Sequence, residues 1–351
     1  MSIFVKNIIV ASDFGGTKGD LLIVNADDGS ILRRVLRTWR DLPKEILSEI
    51  NKAPNGIGRT PQMITYCFKE ALSELAYENL YYLTCGYGFY SNLCEMLGSP
   101  PKLKIAMGEA RGVMFAEGFK NGICSLLGTG ATSEIFIDGQ SVFLIDSFGP
   151  VCGDWGGADY IGYHFLRSVL RQQLFMNELM PETNAIVQFI EENVKDISPL
   201  DHSKPMTPSR ANARIVAVIA GHNNNVSLVS SFAELCDSCA RNGSKIAKDV
   251  LSMAGREIAE NIFRGVMFKK VDTTGLPIIV SGSVFMHSDF VFESFLSEIT
   301  KTLPNAKIIR SRKPQTYGQV IRMLEEIHTP AKAAPLIAKF KEQANDMFGI
   351  N

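Results

Sequence analysis

Residues 7–24 read Asn7-Ile-Ile-Val-Ala-Ser-Asp13-Phe14-Gly15-Gly16-Thr17-Lys18-Gly19-Asp20-Leu-Leu-Ile-Val24. An apolar run of strand length, a glycine-rich turn and a second apolar run follow one another directly. Asp27-Asp28-Gly29 is a turn signal, and Ser30 to Leu36 is a third apolar-rich stretch. Strand, turn, strand, turn, strand is a three-stranded meander. The order returns from residue 122: Gly122-Ile-Cys-Ser-Leu-Leu127, Gly128-Thr129-Gly130-Ala131, Ser133-Glu-Ile-Phe-Ile137, the turn Asp138-Gly139, and Ser141-Val-Phe-Leu-Ile145. Such self-similarity marks an internal duplication.

Helix and strand patterns alternate after each meander. After the first, the spacing predicts a helix from Thr60 to Glu78, a strand from Leu80 to Thr84, a short helix, and a strand from Lys102 to Met107. After the second come a helix from Ala158 to Phe175, a long helical stretch from Ser227 to Phe268, and the strand Pro277 to Ser281. A helix from Phe290 to Thr302, the strand Lys307 to Arg310 and a helix from Gln315 to Ile327 complete that half. Meanders continued by crossovers imply one mixed sheet per half, each covered by helices. The expected organisation is α/β: a first domain over 1–118, a second over 119–328, and a helical tail over 329–351 with an amphipathic pattern from Ala334 to Met347. The second domain carries an irregular insertion at about 176–226, rich in Asn, Pro and Ser. Residues 40–62 contain Pro43, Pro54, Asn55, Gly56, Gly58 and Pro61; so long a loop in a compact domain is more often functional or mobile than decorative.

Composition narrows the function classes. The chain has 351 residues, enough for about two domains, with 36 Lys+Arg against 37 Asp+Glu. That balance removes the electrostatic reason to expect a nucleic-acid or polybasic membrane binder. No apolar run approaches the ~20 residues of a membrane-spanning helix. The first ten residues lack the pattern of a secretory leader, and the expected location is the cytoplasm. Seven scattered cysteines, an odd number, read as reduced thiols rather than a disulfide framework. The five histidines show no metal-ligand spacing. Cys236 and Cys239 form the one C-x-x-C, inside a helical-looking run from Leu235 to Ala247, and read as a buried helix face rather than a zinc site.

The two glycine-rich turns carry the chemistry. Adjacent glycines let backbone N–H groups approach and point at an anion. Gly15, Gly16, Thr17 and Lys18 supply such N–H groups, a hydroxyl and a cation; Gly128, Thr129, Gly130 and Ala131 form a second candidate cradle. Asp13, at the strand end, is a candidate for Mg²⁺ held through water, because that ion sheds its hydration shell reluctantly. Neither turn has the spacing of a P-loop or of a dinucleotide fingerprint. Either turn alone reads as an ordinary hairpin connection. Their matching places in two repeats point instead to two phosphate cradles facing one cleft.

On these residues the chain resembles the sugar kinases of the actin-like ATPase superfamily, nearest to the branch of N-acetylglucosamine kinases and BadF/BadG ATPases. Asp13 to Lys18 resembles the first phosphate motif, with Phe14 in place of a glycine, and Gly128 to Thr132 resembles the second. Gly153-Asp154-Trp155-Gly156-Gly157-Ala158 through Gly162 resembles G-D-E-G-S-x-x-x-I-G, and Ser281-Gly282-Ser283-Val284 resembles the adenosine motif. The similarity runs from about residue 7 to about 327. It implies duplicated ribonuclease-H-like domains with mixed five-stranded sheets, an interdomain cleft, ATP and Mg²⁺ as cofactors, and a small-molecule sugar as substrate. A homodimer is allowed for.

The resemblance also implies roles. Gly15, Gly16, Thr17, Lys18, Gly128, Thr129, Gly130, Ala131, Gly282 and Ser283 are expected around ATP. Glu109 takes the place of the family's catalytic Asp, at a strand end that opens a helix, where its other reading is a carboxylate stabilising the helix dipole. Asn55, Gly86, Thr129, Asp154 and Trp155 are expected near the sugar. Asn55 reads equally as a turn residue, Asp154 has a turn-forming Asp before glycines as its other reading, and Trp155 either stacks on a sugar face or is a half-buried structural residue. The expected activity is transfer of the γ-phosphoryl group of ATP to a hydroxyl of an amino sugar or hexose, N-acetylglucosamine first. The alternatives are a partner-coupled ATPase of the BadF type, for which Met107 and Gly108 stand where a cluster-ligating cysteine belongs, and a catalytically weak sugar- or nucleotide-binding regulator.

Overall fold

The computed structural model describes residues 3–15, 18–38, 41–46, 61–84, 90–193, 203–221 and 226–350. The opening stretch forms strand β1 (Ile3–Phe14), followed by β2 (Lys18–Asn25) and β3 (Ile31–Thr38). Ile8, Ile9, Val10 and Ala11 are all fully buried. A continuous apolar run rather than an alternating one is what a strand covered on both faces requires. β4 (Leu75–Thr84) and β5 (Leu103–Ala106) complete a sheet of order β3-β2-β1-β4-β5. β1 pairs antiparallel with β2 and parallel with β4, and β4 pairs parallel with β5.

The second meander is β6 (Gly122–Leu127), β7 (Ala131–Ile137) and β8 (Gln140–Asp146). β9 (Pro277–Ser281) and β10 (Lys307–Arg310) extend it to the order β10-β9-β6-β7-β8. In both sheets the first strand of the meander is central and later strands are added on its free side. The repetition read from the glycine turns is therefore a repetition of whole sheets, two mixed five-stranded ones flanked by helices.

Two compact units result. The first holds the described residues up to Cys124, Phe136–Val142 and the described residues from Ile309 onward; the second holds Ser125–Ile135 and Phe143–Ile308. In the first unit, helix α1 (Pro61–Leu72) packs Met63, Ile64, Cys67 and Phe68 with Ile8, Val10 and Phe14. The opposite face, with Ile9, Ala11, Leu22 and Val24, meets Phe115 of α3 (Glu109–Glu117), Tyr317 and Val320 of α11 (Gln315–Ile327), and Phe340 of α12 (Pro330–Phe348). Helix α2 spans Tyr90–Leu97. The sequence pattern attaches α11 to the second half; the structure packs it on the first sheet, because its fully buried Val320 and Leu324 match that apolar face.

In the second unit, α4 (Ala158–Gln173), α5 (Pro181–Asn193), α6 (Pro208–Ala220), α7 (Val226–Arg241) and α8 (Lys245–Lys269) precede β9; α9 (Ser283–His287) and α10 (Asp289–Thr302) follow it. Three sequence expectations are corrected. The helix expected to Glu78 stops at Leu72, since Glu74 takes a left-handed φ of 64° and Leu75–Tyr77 pair with Ile3–Val5. The stretch expected as one helix from Ser227 to Phe268 breaks at Gly243 (φ 97°), after which the Ser244 hydroxyl accepts from the Ala247 N–H and starts α8; glycine then serine is a stop and start signal. The insertion expected as irregular contains α5 and α6, which bury Ile186, Ile190 and Ile215.

Burial also sets thiol chemistry. Cys67, Cys124 and Cys236 are buried, whereas Cys152 is exposed. Burial, with the Glu70 carboxylate beside it, pushes the Cys67 thiol up to about 12. Iodoacetamide at about pH 8 is expected to label Cys152 in the native protein and to reach Cys67, Cys124 and Cys236 only after unfolding, because the thiolate is the reactive form. Peptide mass mapping checks this; labelling of Cys67 as fast as Cys152 would contradict the packing described.

Candidate active site

Open α/β sheets bind ligands at the carboxyl ends of their strands. In the first sheet Ser12 lies opposite Thr84, and Thr84 opposite Ala106, so β1, β4 and β5 end side by side. Asp13 follows Ser12 on β1. Glu109 opens α3 just beyond β5, where the Met107 N–H donates to the Thr84 carbonyl at 3.1 Å. The fold thus puts both carboxylates on one edge.

Asp13 faces Asp20 across the β1–β2 pair. Arg34 engages Asp20 with a two-pronged contact at 3.0 and 2.8 Å, so that buried carboxylate is neutralised. The Gln315 amide, oriented with its nitrogen toward Asp13, donates to both carboxylate oxygens at 2.9 and 3.0 Å. The Gly15 N–H closes the first turn on the Lys18 carbonyl at 3.0 Å, and Lys18 is exposed. Phe14, the departure from the glycine-rich motif, points into the core: its ring stacks on Phe68 with centroids 6.2 Å apart. A side chain at Gly19 would meet that ring at 2.6 Å. The extra aromatic therefore fills the interior. Gly16, Thr17, Asn55 and Gly86 lie outside the described residues.

The second unit gathers the remaining expected residues. The Gly128 N–H donates to the Gly130 carbonyl, the Ala158 N–H to the Gly128 carbonyl, and the Asp159 N–H to the Thr129 carbonyl, all at 2.9 Å. A Cβ on Gly130 would sit 2.3 Å from Asp154 Oδ2, and one on Gly157 would sit 2.8 Å from the Gly130 carbonyl carbon. At Gly157 the 153–159 segment meets the 128–131 turn through backbone, whereas at Gly130 it is the Asp154 side chain that occupies the space a Cβ would need. Gly282, with φ 95°, brings the end of β9 against the end of β6; a Cβ there would be 2.3 Å from the Leu127 carbonyl oxygen. Gly128, Thr129, Gly130, Ala131, Asp154, Trp155, Gly282 and Ser283 thus belong to one neighbourhood, at the mouths of β6 and β9.

A cavity of about 680 Å³ opens beside these turns, lined by Thr129, Ser230, Glu234, Asp237, Ser283 and His287 among others. Arg241 donates through Nε to Asp237 Oδ2 at 2.6 Å and through Nη2 to the His287 carbonyl at 2.8 Å. Asp237 Oδ1 is buried and has no hydrogen-bond partner among the described residues. Sequence reading missed this wall, although Ser230, Glu234, Asp237 and Arg241 recur at helical spacing and form a polar stripe on α7. It also missed Gln315, for which no local signal exists, and Asp146, a carboxylate ending β8 much as Asp13 ends β1.

The implied cofactors can be tested against these residues. The glycine turn at 128–131 and the unsatisfied Asp237 carboxylate oxygen, both beside this cavity, fit a nucleotide: the turn would hold phosphate and Asp237 would accept from a hydroxyl or an amine. Among the described residues no group of three His, Cys, Asp or Glu could hold a metal directly. One carboxylate, Asp13, could hold a Mg²⁺ that keeps most of its water.

No protein-family model matches the chain, and no curated protein sequence does. Solved structures do match. A proposed N-acetylglucosamine kinase from Chromobacterium violaceum aligns with a TM-score of 0.61 and 16% identity, over 91% of this chain and 99% of that one. A proposed N-acetylglucosamine kinase from Porphyromonas gingivalis gives 0.58 and 18%, over 92% and 99%. A ROK-family glucokinase from Streptomyces griseus, solved with glucose and AMPPNP, gives 0.53 and 14%, over 89% and 97%. Two mixed sheets of matching strand order, each with its glycine-rich turn, thus give this chain the duplicated ribonuclease-H-like fold that these sugar kinases share.

Proposed function

We propose that this protein is an ATP-dependent sugar kinase that phosphorylates a hydroxyl of an amino sugar or hexose, with N-acetylglucosamine the first substrate to test. The observation that carries the reading is the 128–131 turn. The Gly128 and Thr129 carbonyls accept from the Ala158 and Asp159 N–H groups and Gly130 lies against the Asp154 carboxylate, beside a cavity large enough for a nucleoside and at the end of the central strand of a duplicated sheet. Sugar kinases use such turns to hold polyphosphate, and the structural neighbours named above carry that activity in their descriptions.

The residues divide the work. Thr129, Gly130 and Ala131 present N–H groups to the phosphates, Gly128 closes the turn around them through its bond to the Gly130 carbonyl, and Ser283, next to Gly282, borders the nucleoside cavity. When bound, ATP would supply the transferable phosphoryl group, and Asp13 would hold, through water, a Mg²⁺ that offsets its charge. Glu109 accepts the proton of the attacking hydroxyl, and Asp154 and Trp155 orient the sugar. The protein mainly positions reactants, so holding these groups still is most of the catalysis. We place the protein in the cytoplasm on its described cysteines, which form no disulfide; no helix of the described residues is long and apolar enough to cross a membrane.

ADP release with ATP and Mg²⁺ should be measured across glucose, N-acetylglucosamine, glucosamine, N-acetylmannosamine and N-acetylmuramic acid, with a no-sugar control. At least one sugar is expected to raise release well above the control. Release that is fast and indifferent to every sugar would replace the reading with a partner-coupled ATPase. ATP binding without release would replace it with a regulator.

A further inference from the structure

Asp146 ends β8 with a side chain only 1% exposed, and the mechanism above does not use it. Its carboxylate is an internal anion ringed by backbone donors. The Asp154 N–H donates to Oδ1 at 3.0 Å, the Trp155 N–H donates to Oδ2 at 2.9 Å, and the Ser147 N–H adds a third contact. Burial pushes this carboxyl up, while those N–H groups pull it back toward the charged form.

Two of the three donors have unusual backbones. Asp154 has φ 56° and Ser147 has φ 152°, both rare for residues with a side chain. Such conformations persist only where the surroundings over-determine them, and they cluster at ligand sites. Gly153 completes the arrangement, since a Cβ there would lie 2.5 Å from Asp146 Oδ1. From the far side of the same turn, the Asp154 carboxylate rests against Gly130, and Thr132 Oγ1 donates to the Asp146 carbonyl at 3.3 Å. Asp146 therefore touches both ends of one backbone linkage, from the end of β8 through 153–155 to the phosphate turn.

We infer that Asp146 is the positioning residue of the sugar side of the site: its buried carboxylate fixes the backbone of Asp154 and Trp155 so that their side chains are presented to the sugar. The inference rests on the sugar-kinase reading for its catalytic consequence, but its structural half stands without it. Removing one acceptor oxygen leaves a donor facing a donor, which costs more than the bond is worth. The loop then relaxes from its left-handed conformation, while the nucleoside cavity, most of whose wall comes from α7 and α9 and the rest from Thr129, the start of α4 and Leu251, keeps its main shape.

The test uses Asp146→Asn and, as a second way of loosening the same contact, Gly153→Ala. Each is made in the full chain with Trp39→Phe, which leaves Trp155 as the only tryptophan. Acrylamide quenching of Trp155 is expected to rise in both variants without sugar or nucleotide present. With the sugar that gives turnover in the parent, sugar KM is expected to rise roughly tenfold or more, and the Kd for a fluorescent ATP analogue to stay within about twofold. Unchanged quenching in both folded variants overturns the inference. Equal loss of sugar and nucleotide affinity also overturns it, since that marks general loosening of the unit. Raised quenching in a protein whose parent turns over no sugar leaves the Asp146 anchor standing and removes the sugar-kinase reading instead.

Discussion

Glu109→Gln is expected to lower sugar-dependent ADP release by about 100-fold or more, the scale on which a general base contributes. Nucleotide affinity should be nearly unchanged. The substitution keeps the shape and hydrogen-bonding capacity of the side chain and removes its ability to take a proton. Glu109 is the first residue of α3, immediately past the carboxyl end of β5 and on the same sheet edge as Asp13. The cavity assigned to the nucleoside is built from Thr129, the start of α4, α7, Leu251 of α8 and α9, none of which includes Glu109. The two measurements should therefore separate, with turnover falling and a nucleotide titration unmoved. A variant that keeps the parent rate would show that Glu109 serves the helix dipole and that another group takes the proton.

Gly318→Ala should be the most damaging single methyl in the first unit. Gly318 lies in α11 where it crosses α3. A Cβ there would be 1.8 Å from the Gly112 carbonyl oxygen and 2.7 Å from the Ala116 nitrogen. Both are backbone atoms, so no side chain can swing aside; the helices must separate. Glycine within a helix costs about 1 kcal/mol of propensity against alanine, and here it permits an approach that alanine forbids. Overpacking of this kind costs on the order of 3 kcal/mol, or roughly 6–12 °C of melting temperature for a unit of this size. Separation would also shift Gln315 from Asp13 and tilt the start of α3, which carries Glu109. Activity should fall even below the melting transition. A melt within about 1 °C of the parent would mean that the crossing is looser than described.

Several parts of the site could be read locally because their signals are local. The pairing of Asp13-Phe14-Gly15 with Gly128-Thr129-Gly130 is visible as two glycine turns at matching places in two apolar meanders. Strand periodicity and turn chemistry act over a few residues, so the meanders and their duplication follow directly. Gly243-Ser244 shows that a local signal can also be overlooked: it ends one helix and starts the next, yet helical periodicity runs smoothly across it. Glu74 shows a different limit. The pattern there suits a helix, but pairing of Leu75–Tyr77 with the start of β1 outweighs propensity, because backbone bonds to a neighbouring strand depend on a partner distant in sequence.

By itself, then, the sequence determined the two sheets, their central strands and the glycine turns at their mouths. Apolar length, glycine and turn residues specify those within short windows. Tertiary structure alone decided what those turns are held by. Gln315 meets Asp13 from the far end of the chain, Gly318 meets Gly112 backbone to backbone, and Asp146 gathers the N–H groups of Asp154 and Trp155. Phe14 occupies a motif glycine's place and turns inward onto Phe68. None of these contacts has a periodicity or a spacing, because each is a meeting of surfaces brought together by burial of two sheets' apolar faces, and only the packed chain specifies which atoms arrive opposite one another.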